Sequence, residues 1–182
     1  AMFRVRLPEG DGAAREAARG GFREGLRFVA SNPTTRIFVL MQWVLPLLII
    51  PNFDALPPIY AKDIFSGGPE TLGTLLSAVG IGGIVGGIVS ASLERVDRRG
   101  LVQIGGLFFL SLSLVGFALS TALWMAIICM ALAGFFEMIF LITNQTLVQL
   151  SIPDVLRGRV TSILSLGSGL MMPVGAFIAG VG

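Results

Sequence analysis

The stretch that decides the fold is Gly134 to Val160, GFFEMIFLITNQTLVQLSIPDVLRGRV. Its apolar run begins at about Ala122 and is stopped by Pro153, since proline cannot continue a helix. One acidic residue, Glu137, stands near the middle, roughly 22 Å from either end at about 1.5 Å per residue. A run of this length can cross a bilayer, so the sequence predicts a transmembrane helix with a carboxyl group near the membrane midplane.

Glu137 raises the functional question, because moving a carboxylate from water into hydrocarbon costs several kcal/mol. Three roles remain open: a proton carrier, a group that attracts a cationic substrate, or a protonated or hydrogen-bonded carboxyl that holds helices together. Asn144, seven residues on, falls on nearly the same helical face, with Gln145 beside it. We interpret this polar face as part of a substrate or proton pathway.

The composition is that of a membrane protein. Hydrophobic residues make up 54% of the chain and charged residues only 13%, whereas soluble proteins carry roughly 25% charged residues. The single cysteine, Cys129, excludes a disulfide within the chain, and the lack of histidine removes zinc sites and histidine-assisted nucleophiles. We therefore expect no enzyme activity, no metal and no cofactor. Nucleic acid is not an expected partner either, because the basic residues are dispersed among apolar segments without a reading motif.

A basic N-terminal region precedes five apolar spans. Residues 1–33 are predicted to be a cytoplasmic linker with an amphipathic helix, whose apolar stripe includes Phe22, Leu26 and Val29. That helix lies either on an anionic membrane surface or in solvent. Residues 34–182 are predicted to form the transmembrane part. Its spans begin at about Thr34, Leu72, Leu101, Ala122 and Val160.

Prolines interrupt the first span. Pro46 and Pro51 each remove a helical hydrogen bond, so the outer half of this span is predicted to be kinked or broken. A broken helix at membrane depth needs neighbours or a water-filled cavity to satisfy its freed carbonyl groups, and we expect this span to line a cavity. Asp54 either belongs to this pathway or is a solvated carboxylate near the outer headgroups. The candidate pathway residues here are Gln42, Asn52 and Asp54.

Glycine dominates the second span, Leu72 to Leu93. Two overlapping GxxxG pairs occur in it, which predicts close packing of this helix against a neighbour. Stripes of this kind do not by themselves indicate a function. The predicted packing residues are Gly80, Gly82, Gly83, Gly86 and Gly87.

The basic residues predict the topology. Twelve of the thirteen precede or begin the first span or fall on alternate loops, and only Lys62 falls on the other side. Positive residues accumulate on the cytoplasmic side of a membrane. The sequence therefore predicts five spans in the cell (inner) membrane, with a cytoplasmic N-terminus.

Four stretches resemble the major facilitator superfamily of transporters. The turn DRRG at 97–100, after a glycine-rich helix, resembles a loop motif of that superfamily. EGLRFVASNP (24–33), LPPIYAKDIF (56–65) and NQTLVQLSIPDVLRGRV (144–160) resemble its drug and siderophore exporter branch. The resemblance implies an all-α membrane fold of two six-helix halves, in which this chain supplies the central linker and helices seven to eleven. Helix twelve and the N-terminal half of the same transporter are then expected outside this chain.

The resemblance also implies a mechanism. Transporters of this kind work by alternating access, usually driven by protons, so the expected partners are the lipid bilayer, protons and a small amphipathic compound. An uptake porter of the same fold and a non-transporting scaffold remain alternatives. Charged residues of the inner loops would form a cytoplasmic gate, unless they only set the topology. These gate candidates are Asp97, Arg98, Arg99, Asp154, Arg157 and Arg159.

Overall fold

The computed structural model describes residues 11–49, 56–93 and 99–181, and every regular element in these ranges is helical. Among the described residues, four helices, α3 to α6, are long and apolar enough to cross a membrane. The predicted all-α membrane fold is confirmed. The helices are α1 (Asp11–Ser31), α2 (Pro33–Val44), α3 (Pro69–Leu93), α4 (Arg99–Ala118), α5 (Leu123–Ser151) and α6 (Asp154–Val181).

Helix α2 begins the first predicted span. Asn32 caps it by accepting a hydrogen bond from the Thr35 N–H, and Pro33 occupies the first turn, where its missing N–H costs nothing. The α-helix then gives way to a π-helical segment, Leu45–Ile49. This segment contains Pro46, whose ring and missing N–H disrupt regular α-helical hydrogen bonding, so the helix is irregular where the sequence predicts. Three further residues of this span lie outside the described residues: Pro51, Asn52 and Asp54.

The connection between α5 and α6 is shorter than predicted. The break falls at Ile152-Pro153 as expected, but α6 begins at Asp154 and not near Val160. An aspartate in the first turn is stabilised by the positive end of the helix dipole, and Arg157 pairs with it at 2.8 Å. The prediction that the fifth span begins near Val160 was therefore wrong, because Asp154 and Arg157, which we expected in an inner loop, form the first turn of α6.

Helices α3 and α5 run in the same direction. Gly82 lies against Ala131 and Gly86 against Phe135, so positions rise together along the two helices. Parallel alternate helices are what an up-and-down membrane bundle requires. Helix α4 also packs on α5, which places α5 at the centre of this group.

A second group of contacts joins α1, α2 and α6 to the end of α5. Its apolar cluster contains Val29 of α1, Val39 of α2, Val148 of α5 and Val160 of α6. Val29 is 7% exposed, whereas the preceding members of the same stripe, Phe22 and Leu26, are 38% and 49% exposed. Helix α1 is thus docked on the bundle through the face that carries Gly25 and Val29, and Phe22 and Leu26 of the predicted apolar stripe lie outside this contact.

Candidate functional site

A chain of three amide side chains crosses the bundle. Gln103 of α4 donates from Nε2 to Oδ1 of Asn144 in α5, and Asn144 donates from Nδ2 to Oε1 of Gln42 in α2. Gln103 is 1% exposed and Asn144 0% exposed. A buried amide needs partners, and here each amide supplies one for the next. The structure thus brings together two predicted pathway residues, Gln42 and Asn144, by hydrogen bonding.

Gln42 also lines a cavity between α2, α5 and α6, which we call the amide cavity. Its volume is about 220 Å³. The side chains of Gln145 and Gln149 are exposed, so the cavity opens to the surface of the described part of the chain. No described lining residue is charged, and the wall can hydrogen-bond a polar group of a ligand. The lining residues are Gln42, Gln145, Val148, Gln149, Thr161, Leu164, Ser165 and Ser168.

Glu137 lies outside the amide cavity, at the middle of α5. Its half-buried side chain borders a groove of about 370 Å³ on α3, between Gly83 and Gly87 on one side and Met138 on the other. No described residue donates a hydrogen bond to Glu137 or forms an ion pair with it. Asn144 shares its helical face but bonds to α2 and α4, and among the described residues no hydrogen bond joins Glu137 to Asn144 or Gln145.

Backbone contact between α3 and α5 explains part of the glycine stripe. A Cβ added at Gly82 would overlap the Ala131 carbonyl oxygen, and one at Gly86 would overlap that of Phe135. Gly134 on α5, which the sequence analysis did not single out, lies equally close to the backbone of α3 at Val79. Its requirement for glycine depends on a partner helix, so no local signal could have revealed it.

The other three of the five predicted packing glycines do not meet the backbone of α5 in this way. A Cβ at Gly83 would be 3.6 Å from the Met138 side chain, which is ordinary contact. At Gly80 and Gly87 a Cβ would meet nothing within 4 Å. Both border the groove beside Glu137, so the structure does not bring them into the α3–α5 contact.

Three of the described gate candidates, Asp154, Arg157 and Arg159, form ion pairs. Arg157 pairs with Asp154 on α6, whereas Arg159 pairs with Glu24 on α1. Gly25 of α1 allows this approach, since a Cβ there would be 3.3 Å from the Arg159 Cβ. Arg99 begins α4. Asp97 and Arg98 lie outside the described residues.

The sequence analysis missed the hydroxyl residues of the cavity wall, and it also missed Gln103 and Glu24, which bond to predicted site residues. Gln103 stands near the start of an apolar span, where a solvated interfacial residue is the usual expectation, and its burial arises only from α2 and α5. Glu24 lies 135 residues from its partner Arg159. Neither contact leaves a pattern in the local sequence.

Comparison with known proteins agrees with this architecture. A family model described as transmembrane secretion effector matches residues 4–181. The multidrug efflux pump Tap of Mycolicibacterium fortuitum is 30% identical over 166 residues, covering 91% of this chain and 40% of that protein. The Staphyloferrin A transporter of Staphylococcus aureus is 30% identical over 135 residues, covering 71% of this chain and 32% of that protein.

A third relative is the enterobactin exporter EntS of Escherichia coli O1:K1 / APEC, 24% identical over 161 residues, which cover 86% of this chain and 37% of that protein. The chain thus spans 40% or less of the length of these relatives. No solved structure gives a significant match. Because the family model covers nearly the whole chain, the chain belongs to the transmembrane secretion effector family, in the drug and siderophore exporter branch of the major facilitator superfamily.

Proposed function

We propose that this chain is part of a secondary active transporter that exports a small amphipathic compound, such as a drug or a siderophore, by alternating access. The observation that carries the proposal is the amide cavity, a hydrogen-bonding wall set among apolar membrane helices. Polar side chains inside a membrane bundle are costly to retain and mark substrate or ion pathways. The names of the relatives, an efflux pump and an exporter, support the outward direction.

In this proposal the remaining parts of the transporter complete the cavity from the opposite side. The transporter lies in the inner membrane, with α1 on the cytoplasmic face, as the distribution of arginines indicates. Asn52 and Asp54 belong to the outer part of the pathway.

Glu137 is assigned to proton coupling. It is half-buried at the middle of α5, no described residue pairs with it, and it borders a groove and not the amide cavity. A carboxyl group in such a place can bind a proton in one state of the transporter and release it when water enters in the other. Coupling and substrate binding then use separate surfaces of α5.

The test is gradient-driven transport by the full-length protein in proteoliposomes, with one cationic and one neutral dye. Glu137→Gln is expected to abolish uptake driven by a pH gradient for both dyes, because glutamine keeps the size of the side chain but cannot carry a proton. Glu70→Gln, the same change at an exposed position in the first turn of α3, is the matched control and is expected to transport normally.

The outcomes separate the alternatives. Unchanged transport by Glu137→Gln would contradict the proton role, and loss of the cationic dye alone would show that Glu137 attracts cationic substrates. Movement only in the opposite direction would favour an uptake porter. If wild-type protein moves neither dye under any gradient, a non-transporting scaffold is the better account.

The charged residues near the α1 end are assigned to the cytoplasmic gate, where Asp97, Arg98 and Arg99 join the pairs Arg157–Asp154 and Arg159–Glu24. Exposed ion pairs contribute about 0.2–1 kcal/mol each, which suits contacts that break in every cycle.

For the gate, Glu24→Arg is expected to change the transport rate by about 1.4- to fivefold, the range that corresponds to the energy of an exposed pair. The double variant Glu24→Arg/Arg159→Glu is expected to restore the rate, since the opposite charges face each other again. Initial rates at low and high salt provide the measurement. A single variant that transports like wild type would mean that these charges only set the topology.

A further inference from the structure

The chain of amides has a defined hydrogen-bond direction. Nε2 of Gln103 also reaches the Met41 sulfur at 3.5 Å, and Nδ2 of Asn144 faces the Phe38 carbonyl oxygen at 3.4 Å. A thioether sulfur and a backbone carbonyl can accept hydrogen bonds but cannot donate them. Turning either amide around would set two acceptors against each other. The NH2 groups of Gln103 and Asn144 are therefore held where the structure places them.

This direction determines how Gln42 meets the amide cavity. Its Oε1 already accepts from Asn144, whereas no described residue accepts a hydrogen bond from its NH2 group, so we infer that the NH2 group is the branch left for a ligand. In the same wall the Thr161 hydroxyl donates to the Arg157 carbonyl oxygen and so offers a ligand an acceptor, whereas the Ser165 hydroxyl can rotate and either donate or accept. Gln42 thus brings a donor of defined orientation into this wall.

We propose that Gln103 and Asn144 set the specificity of the amide cavity by holding Gln42 as a hydrogen-bond donor. The cavity then favours compounds that present an ester, amide or carboxyl oxygen at Gln42. This inference rests on the proposed transport function. Gln103 is not among the lining residues and is 1% exposed, so it acts through Asn144 as a positioning residue.

The test uses two dyes that differ by one acceptor group. Tetramethylrhodamine methyl ester carries an ester carbonyl, and tetramethylrosamine has the same cationic ring system without it. Binding to the purified full-length protein is measured by fluorescence polarisation, with no gradient. Wild type is expected to bind the ester about two- to tenfold more tightly, as for one net hydrogen bond.

The variants test the path through Gln103. Gln42→Leu is expected to bring the ratio of the two affinities to about one, because it removes the donor itself. Gln103→Leu is expected to lower the ratio, because Asn144 then keeps only the Phe38 carbonyl oxygen, among the described residues, to hold its amide in place. Ser113→Ala is the matched control, because it removes another buried polar group of α4 that bonds only to its own helix at Phe109. Its ratio is expected to stay at the wild-type value.

Two outcomes would overturn the inference. Retained ester preference in Gln103→Leu would show that Gln103 does not position Gln42, and equal or absent binding of the two dyes by wild type would show that the cavity does not select an acceptor. If Gln103→Leu does not fold, Gln103→Met, with an unbranched chain of similar length, replaces it with the same expectation. Ester preference without gradient-driven export would overturn the proposed transport function, whereas export without ester preference would overturn only this inference.

Discussion

Gly82→Ala is expected to destabilise the protein by about 1–3 kcal/mol, the usual cost of overpacking a tight interior. The added methyl group would overlap the Ala131 carbonyl oxygen. That atom belongs to the backbone of α5 and cannot rotate aside as a flexible side chain could. Helices α3 and α5 would have to separate, with loss of packing along their contact. Thermal unfolding of the full-length protein in detergent measures the effect.

Gly87→Ala provides the matched control on the same helix. A Cβ there would meet nothing within 4 Å, so steric overlap is absent. Alanine is favoured over glycine inside a helix by about 1 kcal/mol, and this variant is expected to be as stable as wild type or slightly more stable. Equal destabilisation of Gly82→Ala and Gly87→Ala would contradict the α3–α5 contact described here.

Asn144→Leu is the second change with a large expected effect, a destabilisation of about 1–3 kcal/mol. It removes both hydrogen bonds at the centre of the amide chain. Gln42 borders the amide cavity and can turn toward it, but Gln103 is 1% exposed and would remain buried with only the Met41 sulfur as partner. The destabilisation therefore comes mainly from the amide of Gln103, which stays buried after losing its hydrogen bond to Asn144. Hydrogen bonds between membrane helices contribute on average only about 0.6 kcal/mol. A destabilisation near the upper end of the expected range therefore requires that Gln103 stays buried.

Two further variants identify the cause. Gln145→Leu makes nearly the same chemical change one position along α5, where the side chain is exposed, and is expected to alter stability by no more than about 0.5 kcal/mol. The double variant Asn144→Leu/Gln103→Leu is expected to be more stable than Asn144→Leu alone, because it leaves no stranded amide. A double variant that is less stable than the single one would contradict the explanation. Thermal unfolding of all four proteins is compared in one detergent.

Several features of this protein can be predicted from the sequence because they depend on local properties of the chain. The length of an apolar run determines whether it can cross a bilayer, and the helices α3 to α5 follow the predicted spans closely, whereas α6 begins earlier than predicted. A proline without an N–H disrupts a helix wherever it stands, so the irregularity at Pro46 was also predictable. The charge of Asp154 stabilises the start of α6, yet the same charge had suggested a loop.

The candidate site depends on which helices meet, and periodicity along one helix does not contain that information. Glu137 and Asn144 fall on nearly one face of α5, but α3 packs beside the first and α2 and α4 beside the second, so their surroundings differ. Gly82 and Gly80 belong to one stripe, but only Gly82 faces the backbone of α5. Local hydrophobicity and charge were enough to predict that this is a membrane protein and in what order its spans follow one another. The pairing of Gln103 with Asn144 arose from the packing of distant segments, because a hydrogen bond between helices is made only when both are brought together.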